Sequence, residues 1–189
     1  MCIRDRTIID SIEILKTDDR SLSSTTFFQG DSQRTQRMGL CRERNMFKRI
    51  LVPVDGSELS FTAVSGATRF AKPLGSTIVL FTVIEPYSYT NLSEYRPESI
   101  EQYEERVEGE ANKRLAQAKA ICDEAGVVCS TVSVKSFSPA EAIIEQVDKS
   151  ECDVVFMASR GRKGLAAVLL GSETQKVLTH SRIPVMVYS

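Results

Sequence analysis

Nine residues separate Gly161 from the pair Gly171-Ser172, and three cations, Arg160, Arg162 and Lys163, cluster around Gly161. Glycine has no β-carbon, so its backbone can come close to an anion. A helix start presents amides that have no partner inside the helix, and these suit phosphate oxygens. A helical pattern opens at Ser172. Ser172 Oγ and the amides of Ser172 and Glu173 are therefore the expected phosphate donors. A plainer account exists for each residue: Gly161 as a turn glycine, Ser172 as an N-cap, the cations as solubilising loop residues. The two accounts are compatible, because a capped helix N-terminus is where phosphate binds.

A second candidate is the stretch Pro53-Val54-Asp55-Gly56-Ser57. Asp55 can accept a hydrogen bond from an adenine amine or a ribose hydroxyl. Alternatively, Asp55-Gly56-Ser57 only makes a turn and caps the helix that follows. Ser159 is a further candidate for a ribose or phosphate contact. Catalytic equipment is sparse. The single histidine, His180, falls near a helix C-terminus, which favours a cation there. The chain has no Ser–His–Asp arrangement, no Cys/His cluster with metal spacing, and no Walker A lysine-serine pair after a glycine. Neither catalytic residues nor a dedicated metal site is expected.

The elements that must position these residues alternate regularly. Arg49–Val54 is a continuous apolar run and reads as a strand buried on both faces. Ser60, Val64, Ala67, Ala71 and Leu74 recur at helical spacing, with Gly75 as the stop. Thr77–Ile84 is a second strand, followed by a polar loop, Glu85–Pro97, with three tyrosines. A long helix from Glu98 to Ala125 carries Ile100, Tyr103, Val107, Ala111, Leu115, Ala118 and Cys122 on one stripe. Its Glu110–Arg114 pair is expected to be an ordinary i,i+4 pair of small value. Val127–Val134 is the third strand. Ser138-Pro139-Ala140-Glu141 has the pattern of a capping box with proline at the first helical position. Asp153–Ala158, a helix from Ser172, and Ile183–Tyr188 complete a βαβαβαβαβ order. Such alternation gives a parallel sheet with helices on both faces through right-handed crossovers. Ligands in such sheets sit at the C-terminal ends of strands, where strand order reverses.

The bulk properties narrow the classes. The 189 residues, 42 % of them hydrophobic, suit one domain with a sizeable core. A net charge of −1 gives no strong field toward nucleic acid or an anionic membrane. No apolar run reaches transmembrane length. The five cysteines form no CxxC pair, and three fall inside apolar patterns, as expected of reduced thiols in a cytoplasmic protein. Residues 1–45 are rich in Arg, Asp, Ser and Thr, and from Ser21 onward show no sustained period. They read as a disordered or mis-assigned upstream extension, with the domain spanning 46–189.

From Met46 to Ser189 the chain resembles the universal stress protein family. The resemblance rests on the opening Ile50-Leu51-Val52-Pro53-Val54-Asp55-Gly56-Ser57, the strand end at Val83, the loop Ala158–Ser172, and the ending Ile183-Pro184-Val185-Met186-Val187. Nucleotide-binding members carry G-x2-G-x9-G-[ST]. Here Gly161, Gly171 and Ser172 match, and Ala158 stands where the first glycine would be. The resemblance implies an open, doubly wound five-stranded parallel sheet of order 3-2-1-4-5. It places Pro53 and Asp55 near a nucleoside, Val83 against adenine through its backbone, and Met157 and Ala158 in the same pocket. Gly161, Gly171 and Ser172 hold the phosphates. It also implies ATP as ligand, with Mg²⁺ able to accompany a triphosphate, and a homodimer joined through the C-terminal edge strand. The Ala158 methyl is harmless at negative φ and harmful if the position needs positive φ or near-contact with ribose. The expectations are thus an ATP-binding sensor or switch, a nucleotide-independent interaction protein of the same fold, or a slow adenine-nucleotide hydrolase.

Overall fold

A computed structural model describes residues 47–88, 99–161 and 170–189. The upstream stretch 1–45, the tyrosines at 89 and 95, and Arg162 and Lys163 lie outside the described residues. Nine elements alternate along the chain: β1 (Arg49–Pro53), α1 (Glu58–Leu74), β2 (Thr77–Ile84), α2 (Ile100–Ala125), β3 (Cys129–Lys135), α3 (Pro139–Lys149), β4 (Val154–Ala158), α4 (Ser172–His180) and β5 (Val185–Tyr188). The sheet is wholly parallel, in the order β3-β2-β1-β4-β5.

Continuous apolar runs dictate the centre of this sheet. Ile50, Leu51, Val52, Val154 and Val155 are fully buried, because helices cover both faces of β1 and β4. On one face Ile50, Val52, Ile78, Leu80 and Phe156 meet Val64, Ala67 and Ala71 of α1 and Leu115, Ala118 and Cys122 of α2. On the other, Leu51, Val79, Phe81, Val155 and Met157 meet Ile143 and Val147 of α3 and Val177 of α4. Each such fully buried Val, Leu or Ile contributes about 1.5–3 kcal/mol relative to exposure. Three stripe residues fall outside the core: Val107 is half-buried, and Leu74 and Ile100, each at an end of its helix, are exposed.

Helix ends follow local chemistry, with three shifts from the sequence reading. The long helix starts after Ser99, where Ser99 and Gln102 form a reciprocal capping box. Ser138 makes no side-chain cap at α3, although Pro139 opens that helix as expected. At α4 the N-cap is Gly171, so Ser172 is the first helical residue rather than the cap. Helices α1 and α2 stop at Gly75 and Gly126, which take left-handed φ values of 66° and 69°.

Candidate functional site

The ladder between β1 and β4 runs through Ile50↔Val154 and Leu51↔Val155 and stops there. Proline at position 53 has no N–H to donate, so β1 cannot extend the pairing. Beyond that point β4 pairs on with β5 alone, through Phe156↔Met186, Met157↔Val187 and Ala158↔Tyr188. The other neighbour of β1 is β2, and Pro53↔Phe81 is the last pair between them. The C-terminal ends of β1 and β4 therefore splay apart at the position where the strand order reverses. This is the crevice that a doubly wound sheet offers a ligand.

Asp55 stands on the β1 side of the crevice. Its Oδ1 accepts from the Ser57 amide at 3.0 Å and from Ser57 Oγ at 2.6 Å. Ser57 in turn caps α1 by accepting from the Ser60 amide at 3.2 Å. The turn-and-cap account of Asp55-Gly56-Ser57 is thus correct, and it leaves the second oxygen pointed across the gap. A β-carbon on Gly161 would lie 2.8 Å from Asp55 Oδ2. The two sequence candidates do meet, and only glycine at 161 lets them.

Gly171 closes the far side of the loop. Its amide donates to the Ser159 carbonyl at 2.8 Å, and a β-carbon there would lie 3.1 Å from the Arg160 Cα. Helix α4 begins immediately afterwards with no side-chain cap. Its first amides, of Ser172 and Glu173, sit at the positive end of the helix and are disposed to an anion. Ser172 is exposed at this end. Thr174 Oγ1 donates to the Ala158 carbonyl at 3.0 Å and ties the helix start to the end of β4.

The remaining candidates divide between backbone and core. Val83 stands past the last β1–β2 pair, with Val134 on β3 as its ladder partner, so its β1 edge faces the crevice. Pro53 is half-buried at the end of β1. Met157 is buried in the core formed with α3 and α4, so its backbone rather than its side chain borders the crevice. Ala158 is a buried strand residue paired with Tyr188. Among the described non-glycine residues only Phe47 and Glu151 have positive φ, so Ala158 does not occupy a glycine-only conformation. Ser159 is buried, and its amide donates to the Tyr188 carbonyl at 2.6 Å.

Two arrangements escaped the sequence reading. The Glu173 side chain turns away from the loop: Oε2 accepts from the Ala140 amide at 2.9 Å, and Oε1 pairs with Lys176 at 2.8 Å. It supplies the cap that Ser138 does not. The second is Arg114, whose side chain bonds Glu110 at 3.1 Å and is only 16 % exposed. Its stem lies over Gly56, where a β-carbon would come within 2.9 Å of Arg114 Cδ. Gly56 also has φ of 85°, so the turn beside Asp55 needs glycine twice over. The available signal was helical spacing. Arg114 lies three residues after Ala111 and four before Ala118, on the buried stripe.

Glycine cradles at 161 and 171 and an uncapped helix start suit an anionic ligand better than they suit acid–base catalysis. His180 lies away from this site, at the exposed end of α4, with Nδ1 2.8 Å from the Lys176 carbonyl. Among the described residues no three His, Cys, Asp or Glu side chains gather to hold a metal ion.

Comparisons with known proteins agree with this architecture. The family model described as the universal stress protein family matches residues 46–189. The universal stress protein YxiE of Bacillus subtilis is 30 % identical over 148 residues, covering 75 % of this chain and 99 % of the relative. The solved structure of MJ0577 from Methanocaldococcus jannaschii superimposes with a TM-score of 0.65 at 26 % identity, covering 76 % of this chain and 96 % of the other. A universal stress protein from Archaeoglobus fulgidus, solved in complex with dAMP, shares the fold at a TM-score of 0.57 and 16 % identity, over 76 % of this chain and 99 % of its own. The match over the whole described domain, with the strand order it requires, places this chain in the universal stress protein family.

Proposed function

We propose that this protein binds an adenine nucleotide, ATP, in the crevice between the ends of β1 and β4 and acts as a sensor or switch. The observation that carries this reading is the approach of Asp55 Oδ2 to Gly161 across the point where the β1–β4 ladder stops. Asp55 receives a ribose hydroxyl or the adenine amine. The backbone of Val83 and the strand ends at Pro53, Met157 and Ala158 border the nucleoside. Gly161, Gly171, Ser172 and the Glu173 amide receive the phosphates, and Mg²⁺ accompanies them as a counter-ion. The Archaeoglobus relative holds dAMP on the same fold, which supports an adenine nucleotide as the ligand class. The phosphates bring negative charge that the helix start and Arg160 neutralise. Among the described residues neither the histidine nor a metal-holding cluster lies at the crevice, which supports binding over turnover.

The test is calorimetric titration of the protein with ATP, AMP and GTP. Saturable heat with the adenine nucleotides, lost in Gly171→Val, is the expected result. No heat with any nucleotide gives the nucleotide-independent reading instead. Steady release of ADP that Asp55→Ala abolishes gives the hydrolase.

The same proposal includes a cytoplasmic homodimer joined at β5. This strand is at one edge of the sheet, and all four of its residues are half-buried. The Pro184 and Tyr188 carbonyls accept from β4, so the backbone groups of Val185 and Val187 point outward for a second copy. A small residue on α1 seats the strand: a β-carbon on Gly66 would lie 2.1 Å from Tyr188 Cζ. Val187→Pro removes an outward N–H, and light scattering is expected to show monomers at concentrations where the unaltered protein is dimeric.

A further inference from the structure

Outside the crevice, Cys122 and Cys129 share one core at the opposite end of the sheet. Cys122 is in the last turn of α2 and is fully buried. Gly126 then turns the chain back with φ of 69°, and the Val127 amide donates to the Cys122 carbonyl at 2.9 Å. Cys129 opens β3, where it pairs with Ile78. Alternation along β3 sends Val132 and Val134 to the α3 side and Cys129 to the α2 side, and both cysteines belong to the α1–α2 core. Cys129 is half-buried and Cys122 is fully buried, so Cys129 is the more exposed residue of the pair. Neither is in a disulfide.

We propose that Cys122 and Cys129 are a redox modification site that a hydroperoxide oxidises to an intramolecular disulfide, with Cys129 as the attacking thiol and Cys122 as the resolving one. The Cys129 thiolate attacks one peroxide oxygen, the O–O bond breaks, and the leaving hydroxide takes a proton to become water. Cys129 is then a sulfenic acid. The Cys122 sulfur attacks the Cys129 sulfur, the S–OH bond breaks, and the Cys122 proton leaves with hydroxide as a second water. Two thiols lose two electrons and the peroxide gains them. A dithiol reductant reverses the step.

The division of roles follows from the surroundings. Burial pushes the Cys122 thiol up to about 12, and the neighbouring Cys129 pushes it in the same direction. A thiol that stays protonated is a poor first nucleophile. It is well placed to resolve a sulfenic acid formed beside it. The Lys119 ammonium near Cys122 acts against this rise, as the smallest of the influences on that thiol. Closure would fasten the C-terminal turn of α2 to the first residue of β3, and the ring needs only the short connection through Gly126.

The experiment uses the full chain, reduced and then treated with hydrogen peroxide before unfolding, alkylation and trypsin. No Lys or Arg lies between Ala120 and Lys135, so both cysteines fall in one peptide. The expected product is that peptide unalkylated and lighter by one pair of hydrogen atoms, restored to two alkylated cysteines by prior reduction. In Cys122→Ser, Cys129 is expected to stop at a sulfenic acid that dimedone captures. In Cys129→Ser, Cys122 is expected to remain alkylatable. Recovery of the doubly alkylated peptide from peroxide-treated protein overturns the proposal. So does linkage of Cys129 to Cys2, Cys41 or Cys152, or a Cys129 that stays reduced in Cys122→Ser.

Discussion

The Asp55 carboxylate occupies the space that a side chain on Gly161 would need: a β-carbon at 161 would lie 2.8 Å from Oδ2. The carboxylate cannot simply swing away, because Oδ1 is held by both the amide and the hydroxyl of Ser57. Gly161→Ala is therefore expected to displace the loop or the carboxylate and to weaken ATP by about tenfold or more, roughly 1.4 kcal/mol. In the Asp55→Ala background the added methyl meets no carboxylate. The double variant is then expected to bind no worse than Asp55→Ala alone, a non-additivity that calorimetric titration reads directly. Additive losses would separate the two residues.

Ala158 departs from glycine without departing from ordinary backbone geometry. It is a strand residue in register with Tyr188, and its carbonyl is already taken by Thr174. Ala158→Gly is expected to leave ATP affinity within about threefold, under 1 kcal/mol. It is expected to cost stability of about 0.5–1 kcal/mol, because glycine in a strand loses more freedom on folding. A large gain in affinity would show that the methyl presses on the ligand.

Glu173 joins the start of α4 to the start of α3 through the Ala140 amide. Glu173→Ala removes a helix cap and is expected to lower stability by about 1 kcal/mol. Amide exchange at Ala140 is expected to speed up, and ATP affinity to hold, since only the Glu173 backbone faces the loop. Glu173→Gln keeps an acceptor and is expected to recover most of the loss. Unchanged exchange at Ala140 in the alanine variant would remove this side chain from the cap.

Two thiols set an alkaline limit. Burial pushes Cys122 from 9.0 up to about 12 and Cys152 from 9.0 up to about 11. In the unfolded chain both ionise near the ordinary value. Above pH 9 the unfolded state therefore binds fewer protons than the folded one, and stability falls as pH rises until the folded thiols ionise in turn. Below pH 9 these groups add no pH dependence. Urea midpoints under reducing conditions are expected to drop between pH 9 and pH 11, with a shallower drop in Cys152→Ala. A flat profile there would mean that the thiols are not sealed.

Element identity was legible because it is written locally. Apolar runs of strand length, helical spacing from Ser60 to Ala71, Pro139 at a helix start, and Gly75 and Gly126 at helix ends each act within a few residues of chain. The glycines at 161 and 171 stood out for the same reason, since they and a helix start lie close in sequence. The N-cap was misplaced by one residue because Gly171 and Ser172 are both good caps and only the backbone decides.

Sequence alone therefore determined the order of elements, the two glycine cradles and the turn at Asp55, because torsional preference and hydrophobic periodicity are short-range. Only the tertiary structure decided which parts meet. Asp55 reaches Gly161 because β1 and β4 are neighbours whose ladder ends at Leu51↔Val155. Glu173 abandons the loop for Ala140, Arg114 lies over Gly56, and Cys129 joins the core that holds Cys122. The first two of these contacts join residues far apart in the chain. All three exist because helices packed on a shared sheet bring such side chains within a few ångströms, a proximity that local spacing does not encode.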